Sequence, residues 1–225
     1  MKQNLTFLLL LLCLQSCKAQ IQENHKIENN IKKDSIMYPI VTKDFETFNE
    51  FHYNQLFKKD EFNTREYLPN GNFFEMIWSS AGKYTEEHFK GDYFKIIKHF
   101  YKNNNIKMKG LFFNSLGSRG FQNGTWYEFD EQVKLIKEID YDKFYKFTFE
   151  DILKFCEREK IKISKGPVLQ STGFHTRILR EYSSINGQST WTIEWLKESD
   201  TIQTIKIDGT TGQVLSRTNG HYINN

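Results

Sequence analysis

Residues 124–155 read GTWYEFDEQVKLIKEIDYDKFYKFTFEDILKF, and two different periods meet inside them. Up to Tyr141 the side chains alternate, with Val133, Leu135 and Ile139 on one face and Lys134, Glu138 and Asp140 on the other, as in a strand with one buried face. From Thr148 the period becomes helical. Phe149, Ile152, Leu153 and Cys156 fall at i, i+3, i+4 and i+7, and Thr148 with Asp151 forms a capping-box start in which hydroxyl and carboxylate satisfy orphan amides. The change of period predicts an α+β fold: an antiparallel β-hairpin meander over 38–141, opened by a short helix, followed by a small helix-on-antiparallel-sheet unit over 142–225.

Before the junction, residues 62–141 read as successive hairpins. Tyr67-Leu68-Pro69-Asn70-Gly71, Phe100-Tyr101-Lys102-Asn103-Asn104-Asn105 and Trp126-Tyr127-Glu128-Phe129-Asp130-Glu131-Gln132 each place a turn after aromatics. After the second turn, Ile106, Met108 and Phe112 are expected opposite Lys107 and Lys109. The order of aromatic, turn, apolar-basic strand and Gly-x-Trp, carried by Asn70-Gly71, Gly110 and Gly124-Thr125-Trp126-Tyr127, resembles variant MORN-type repeats of bacterial secreted proteins. An antiparallel sheet with aromatic cross-strand pairs accounts for the same residues. Upstream, Phe45, Phe48, His52 and Leu56 near helical spacing predict a helix over 42–57, with Thr42 as its cap.

Beyond the helix, 161–173 read as a loop or short strand. Arg177–Tyr182 and Trp191–Leu196 flank Asn186-Gly187 as a hairpin, with Trp191, Ile193 and Trp195 on one face. Thr204–Ile207 and Gln213–Leu215 flank Asp208-Gly209-Thr210-Thr211-Gly212 as another. The helix, the hairpins and the turn residues Asp208, Thr211 and Gly212 make residues 148–216 similar to the C-terminal part of PepSY-like domains. That resemblance implies, as an alternative function, a modulator or inhibitor of a secreted peptidase.

The chain opens with Lys2 and an apolar run from Leu5 to Leu14, too short to span a bilayer but suited to a signal-peptide core, so 1–16 is read as a signal peptide. Leu14-Gln15-Ser16-Cys17 resembles the lipobox of bacterial lipoproteins, in which cleavage precedes a cysteine whose thiol carries the lipid. Residues 17–37 are polar and lack apolar periodicity, and are read as a disordered tether between membrane and domain. Cys13 would leave with the signal and Cys17 would be alkylated. Cys156, alone on an apolar helix face, is read as a small core residue. The formal charge of +3, with basic and acidic residues nearly balanced, gives no nucleic-acid partner.

No metal-ligand spacing, nucleophile motif or phosphate loop is present in the sequence. The Gly117–Gly124 loop lacks a following Lys-Ser/Thr, and the six histidines are scattered. Glu86-Glu87-His88 is read as a solvated patch, because neighbours on a strand face opposite ways. The expectation is therefore a protein that is not an enzyme and needs no cofactor or metal. It would be lipid-anchored through Cys17 in the bacterial envelope, on the periplasmic side of the outer membrane. Its partner would be a protein or envelope component, met by the exposed members of Tyr101, Phe113, Trp126 and Tyr127, with the others in the core.

Overall fold

A computed structural model describes residues 38–56, 63–116, 119–169 and 173–222. The signal peptide 1–16, the tether 17–37 and Cys17 lie outside the described residues. The alternating segments form β1 (Asn63–Tyr67), β2 (Phe73–Ser79), β3 (Gly82–His88), β4 (Phe94–Phe100), β5 (Ile106–Phe113), β6 (Gln122–Phe129) and β7 (Leu135–Asp140). They pair in sequence order as one antiparallel meander. Short polar side chains set the turns. Asn70 Oδ1 accepts from Asn72 N at 3.0 Å, Asn103 Oδ1 from Asn105 N at 3.0 Å, and Asp130 Oδ1 from Lys134 N at 2.8 Å. In the last turn Val133 takes a positive φ of 81° and is exposed. It therefore belongs to the turn and not to the strand that the alternation suggested.

One face of this sheet is covered by the segment leading into α1 (Glu50–Leu56). The helix expected over 42–57 is thus shorter. Backbone groups of its first part bond instead to the β4–β5 turn, with Phe48 N on Asn104 O at 2.8 Å and Ile106 N on Glu46 O at 3.0 Å. Thr42 does not cap the helix; its hydroxyl donates to Asp44 at 2.8 Å. Phe45 and Phe48 pack on Phe100, Ile106 and Phe129. A register shift in the β4–β5 pairing, between His99 and Phe100, separates Ile106 from Met108 and turns Lys109 toward the covered side. There Lys109 is buried, and its ammonium donates to Asp44 O at 2.5 Å and Glu46 Oε1 at 2.9 Å.

The helical period becomes α2 (Phe149–Arg158), opened by the capping box of Thr148 and Asp151. It buries Phe149, Ile152, Phe155 and Cys156. After it come β8 (Arg177–Tyr182), β9 (Ser189–Glu198), β10 (Thr201–Asp208) and β11 (Val214–His221), paired as a four-stranded antiparallel sheet in the order β11-β10-β9-β8. The architecture fits α+β loosely, because antiparallel sheet predominates. The boundary expected near residue 141 falls between the sheets, yet one core cluster draws on both. It joins Phe94, Phe113 and Phe121 to the apolar face of α2 and to Ile178, Trp191, Ile193, Ile205 and Ile207. Arg180, nearly buried, donates to Asp142 Oδ1 at 2.7 Å and to Gln122 O, and its guanidinium lies over the rings of Phe121, Tyr145 and Trp191. No helix among the described residues is long and apolar enough to cross a membrane.

Trp191 and Ile193 are fully buried, whereas Trp195 on the same face is only partly so. Truncating Trp191 to alanine is expected to cost about 3–5 kcal/mol in denaturant melts, and Trp195→Ala distinctly less. An equal loss at both positions would contradict this packing.

Candidate functional site

The aromatics proposed as anchors are distributed unevenly. Phe113 is 0% exposed and stacks on Phe121 with ring centroids 5.3 Å apart. Trp126 is 3% exposed, with its Nε1 donating to Leu111 O at 3.0 Å. The indole fills the space left by Gly110, where a Cβ would overlap it. These two are core residues and not exposed anchors. Tyr101 and Tyr127 are half-buried, and the Tyr101 hydroxyl donates to Phe129 O at 2.9 Å. Cys156 is buried, and burial pushes its thiol up to about 12, as suits an inert core position. Asp208 Oδ1 accepts from the amides of Thr210 and Thr211 and from the Thr211 hydroxyl, so its bonds hold its own turn.

The seven-stranded sheet carries the candidate site on the face away from α1. Glu86 and Glu87 do point to opposite sides, but Glu86 and His88 are two apart and share one face with Tyr84. Pairing then brings in neighbours far away in sequence. Arg65 lies opposite Glu75, Glu75 opposite Glu86, and Phe73 and Lys95 flank His88. These side chains floor a pocket of about 720 Å³, whose rim is made by Ser115 and Leu116 after β5 and by Val168 and Leu169 after α2. The patch read as solvated is in fact largely enclosed: Lys95 is 2% and His88 3% exposed.

Glu86 is the centre of this arrangement. Tyr84 OH and Lys95 Nζ both donate to it, and His88 Nε2 lies 3.1 Å from its Oε2. Burial would raise its pKa, but the His88 bond, the Lys95 charge and bond, and the Tyr84 hydroxyl together hold it down to about 2. Burial and Glu86 together push the Tyr84 phenol up. Glu75 is fixed by Arg65, whose Nε and Nη2 reach its Oε1 at 2.9 and 2.6 Å. Because an ionised carboxylate only accepts, His88 donates to Glu86 through Nε2, which leaves Nδ1 for other partners. That Nδ1 is buried without a partner, and so is Ser115 Oγ.

Glu75, Glu86 and His88 each offer an atom within 4.8 Å of the others, a grouping with the right donors for a metal ion. Each carboxylate, however, already has a resident cation, Lys95 on Glu86 and Arg65 on Glu75. Glu86, held ionised, is not itself a general acid. The arrangement suits fixed hydrogen bonding to a ligand. A second hollow, of about 390 Å³, lies on the covered face and is walled largely by Phe48, Tyr53, Leu68, Phe74, Ile96 and Phe100.

Comparison with family models, curated proteins and solved structures finds no significant match to the chain. The site is therefore read from its own geometry.

The depressed pKa of Glu86 has a consequence for acid stability. A carboxyl whose folded pKa lies below its unfolded value contributes stability that is present above the ordinary range near 4.5 and is lost as pH falls toward about 2. Melts of the wild type are expected to weaken across that window, and Glu86→Gln is expected to flatten the dependence. An unchanged slope in the variant would contradict the assignment.

Proposed function

We propose that the protein is a lipid-anchored binding protein of the bacterial envelope. It is tethered through Cys17 on the periplasmic side of the outer membrane, and acts without turnover on an envelope component held in the sheet-face pocket. The lipobox-like Leu14-Gln15-Ser16-Cys17 and the polar stretch after it support the anchor. The observation that carries the binding reading is Glu86, a buried carboxylate kept ionised by donors from Tyr84, Lys95 and His88. Groups fixed in this way before a ligand arrives lose little freedom on binding, which favours affinity. Glu86 itself, held ionised, has no proton to give to a substrate near neutral pH.

Labelled palmitate is expected to attach to the full chain and to vanish in Cys17→Ser. In the same preparations, Glu86→Gln is expected to weaken retention of an envelope extract component without loss of fold. Labelling that persists in Cys17→Ser, or product released from that component by the purified protein, would overturn the reading.

A further inference from the structure

The hollow on the covered face of the seven-stranded sheet is built differently from the site around Glu86. Phe74, Glu87, Ile96 and Lys98 share this face, with Phe74 opposite Glu87 in the β2–β3 pairing and Glu87 opposite Ile96 in the β3–β4 pairing. Its walls are the half-buried Phe48, Leu68, Phe74 and Ile96, together with the buried Tyr53 and Phe100. Two charged groups in this lining are out of balance. Glu46 takes Lys98 Nζ at 2.5 Å and Lys109 Nζ at 2.9 Å, so two ammoniums share one carboxylate and the trio keeps one positive charge in excess. Glu87 accepts from the neutral amide of Asn72 at 3.0 Å and has no cation partner among the described residues. Lys98, with its side chain 30% exposed, and the half-buried Glu87 both line the hollow. Lys98 stands opposite Thr85, one diagonal step from Glu87 and thus about 7–8 Å from it between backbones. The two form no ion pair with each other.

We propose that this hollow binds a free apolar α-amino acid as its zwitterion, with the carboxylate on Lys98, the ammonium on Glu87 and the side chain among Phe48, Phe74 and Phe100. Such a ligand carries both charges on one carbon, so it bridges opposite charges on neighbouring strands while its third substituent enters the apolar wall. Both protein groups have capacity to spare. An ammonium has three donors, of which Lys98 places one on Glu46, and a carboxylate has several lone pairs, of which Glu87 gives one to Asn72. A simple cation would gain at Glu87 and be repelled by Lys98, and a simple anion would meet the reverse, so the pair favours a ligand that carries both signs. At about 390 Å³ the space lies near the small end of the range that encloses an organic ligand. Glu86 and Glu87 point to opposite faces of the sheet, so this site is separate from the pocket around Glu86 and stands or falls independently of it.

The test is calorimetric titration of the full chain in a non-ionic detergent. The probes are L-leucine and L-phenylalanine, then N-acetyl-L-leucine, which lacks the ammonium, L-leucinamide, which lacks the carboxylate, and phosphoethanolamine, which has both charges and no apolar side chain. Saturable binding of leucine or phenylalanine is expected, weakened about tenfold or more when either charge is removed from the ligand and absent for phosphoethanolamine. Glu87→Gln is expected to weaken leucine by a similar factor and to leave the binding of N-acetyl-L-leucine unchanged, with melting curves confirming that the variant folds. If the folded wild type binds neither amino acid, the proposal is overturned. It is equally overturned if N-acetyl-L-leucine or L-leucinamide binds as tightly as leucine, since the hollow then reads only an apolar group, or if phosphoethanolamine binds as well, since the ligand is then a headgroup. Leucine binding that Glu87→Gln leaves intact would place the amino acid elsewhere on the protein and contradict the assignment.

Discussion

Phe149, the first residue of α2, enters the core among the rings of Phe94, Phe113, Phe121 and Tyr93, with centroids 5.0, 5.6, 5.6 and 5.8 Å away. Phe121 meets Trp191 edge-on at 5.1 Å, so the chain of aromatic contacts runs from the seven-stranded sheet through the helix to the four-stranded one. Such pairs each contribute about 0.5–1.5 kcal/mol beyond the area they bury. Arg180 closes the same junction from the second sheet, stacked on three rings and bonded to Gln122 of the first sheet and to Asp142 in the connection that follows it. Neither sheet has a second apolar layer of this size elsewhere among the described residues, so the wedge of α2 is what each depends on for burial.

The same wedge places the rim of the pocket. On leaving α2 the chain buries Ile161 and then docks on the β3–β4 turn, with Gly166 N on Asp92 O at 2.6 Å and Gly91 N on Gly166 O at 2.9 Å. That docking brings Val168 and Leu169 over a floor supplied by β1–β4. The site is therefore composite. Its charged groups, and with them the depressed pKa of Glu86, come from local hairpins, whereas its enclosure comes from a segment about eighty residues downstream of the floor it covers.

Much of the architecture is legible in the sequence because its signals are local. The Thr148–Asp151 capping box, the Asn and Asp turns, and the alternation of Trp191 and Ile193 each act within a few residues, and each appears in the structure. What escaped depends on pairing across strands. The burial of Lys109 follows from a register shift against β4, and the extended path of residues 42–49 follows from backbone bonds to the β4–β5 turn. For the pocket, half of the signal was present. Counting by two from Tyr84 puts Glu86 and His88 together, but Glu75 and Lys95 join them only through the registers of β2 and β4. The aromatics Phe113 and Trp126 look like anchors in a one-dimensional reading, and only the close approach of Gly110 and the stacking on Phe121 show them to be core.

The central claim is that the two sheets share one cooperative core organised by Phe149, and amide hydrogen exchange tests it most directly. In Phe149→Leu, amides of β4 and of β9 are expected to lose protection together and by similar factors, because both report opening of a single unit. Faster exchange confined to β8–β11, with β2–β5 keeping wild-type rates, would contradict the account and separate the pocket from the helix.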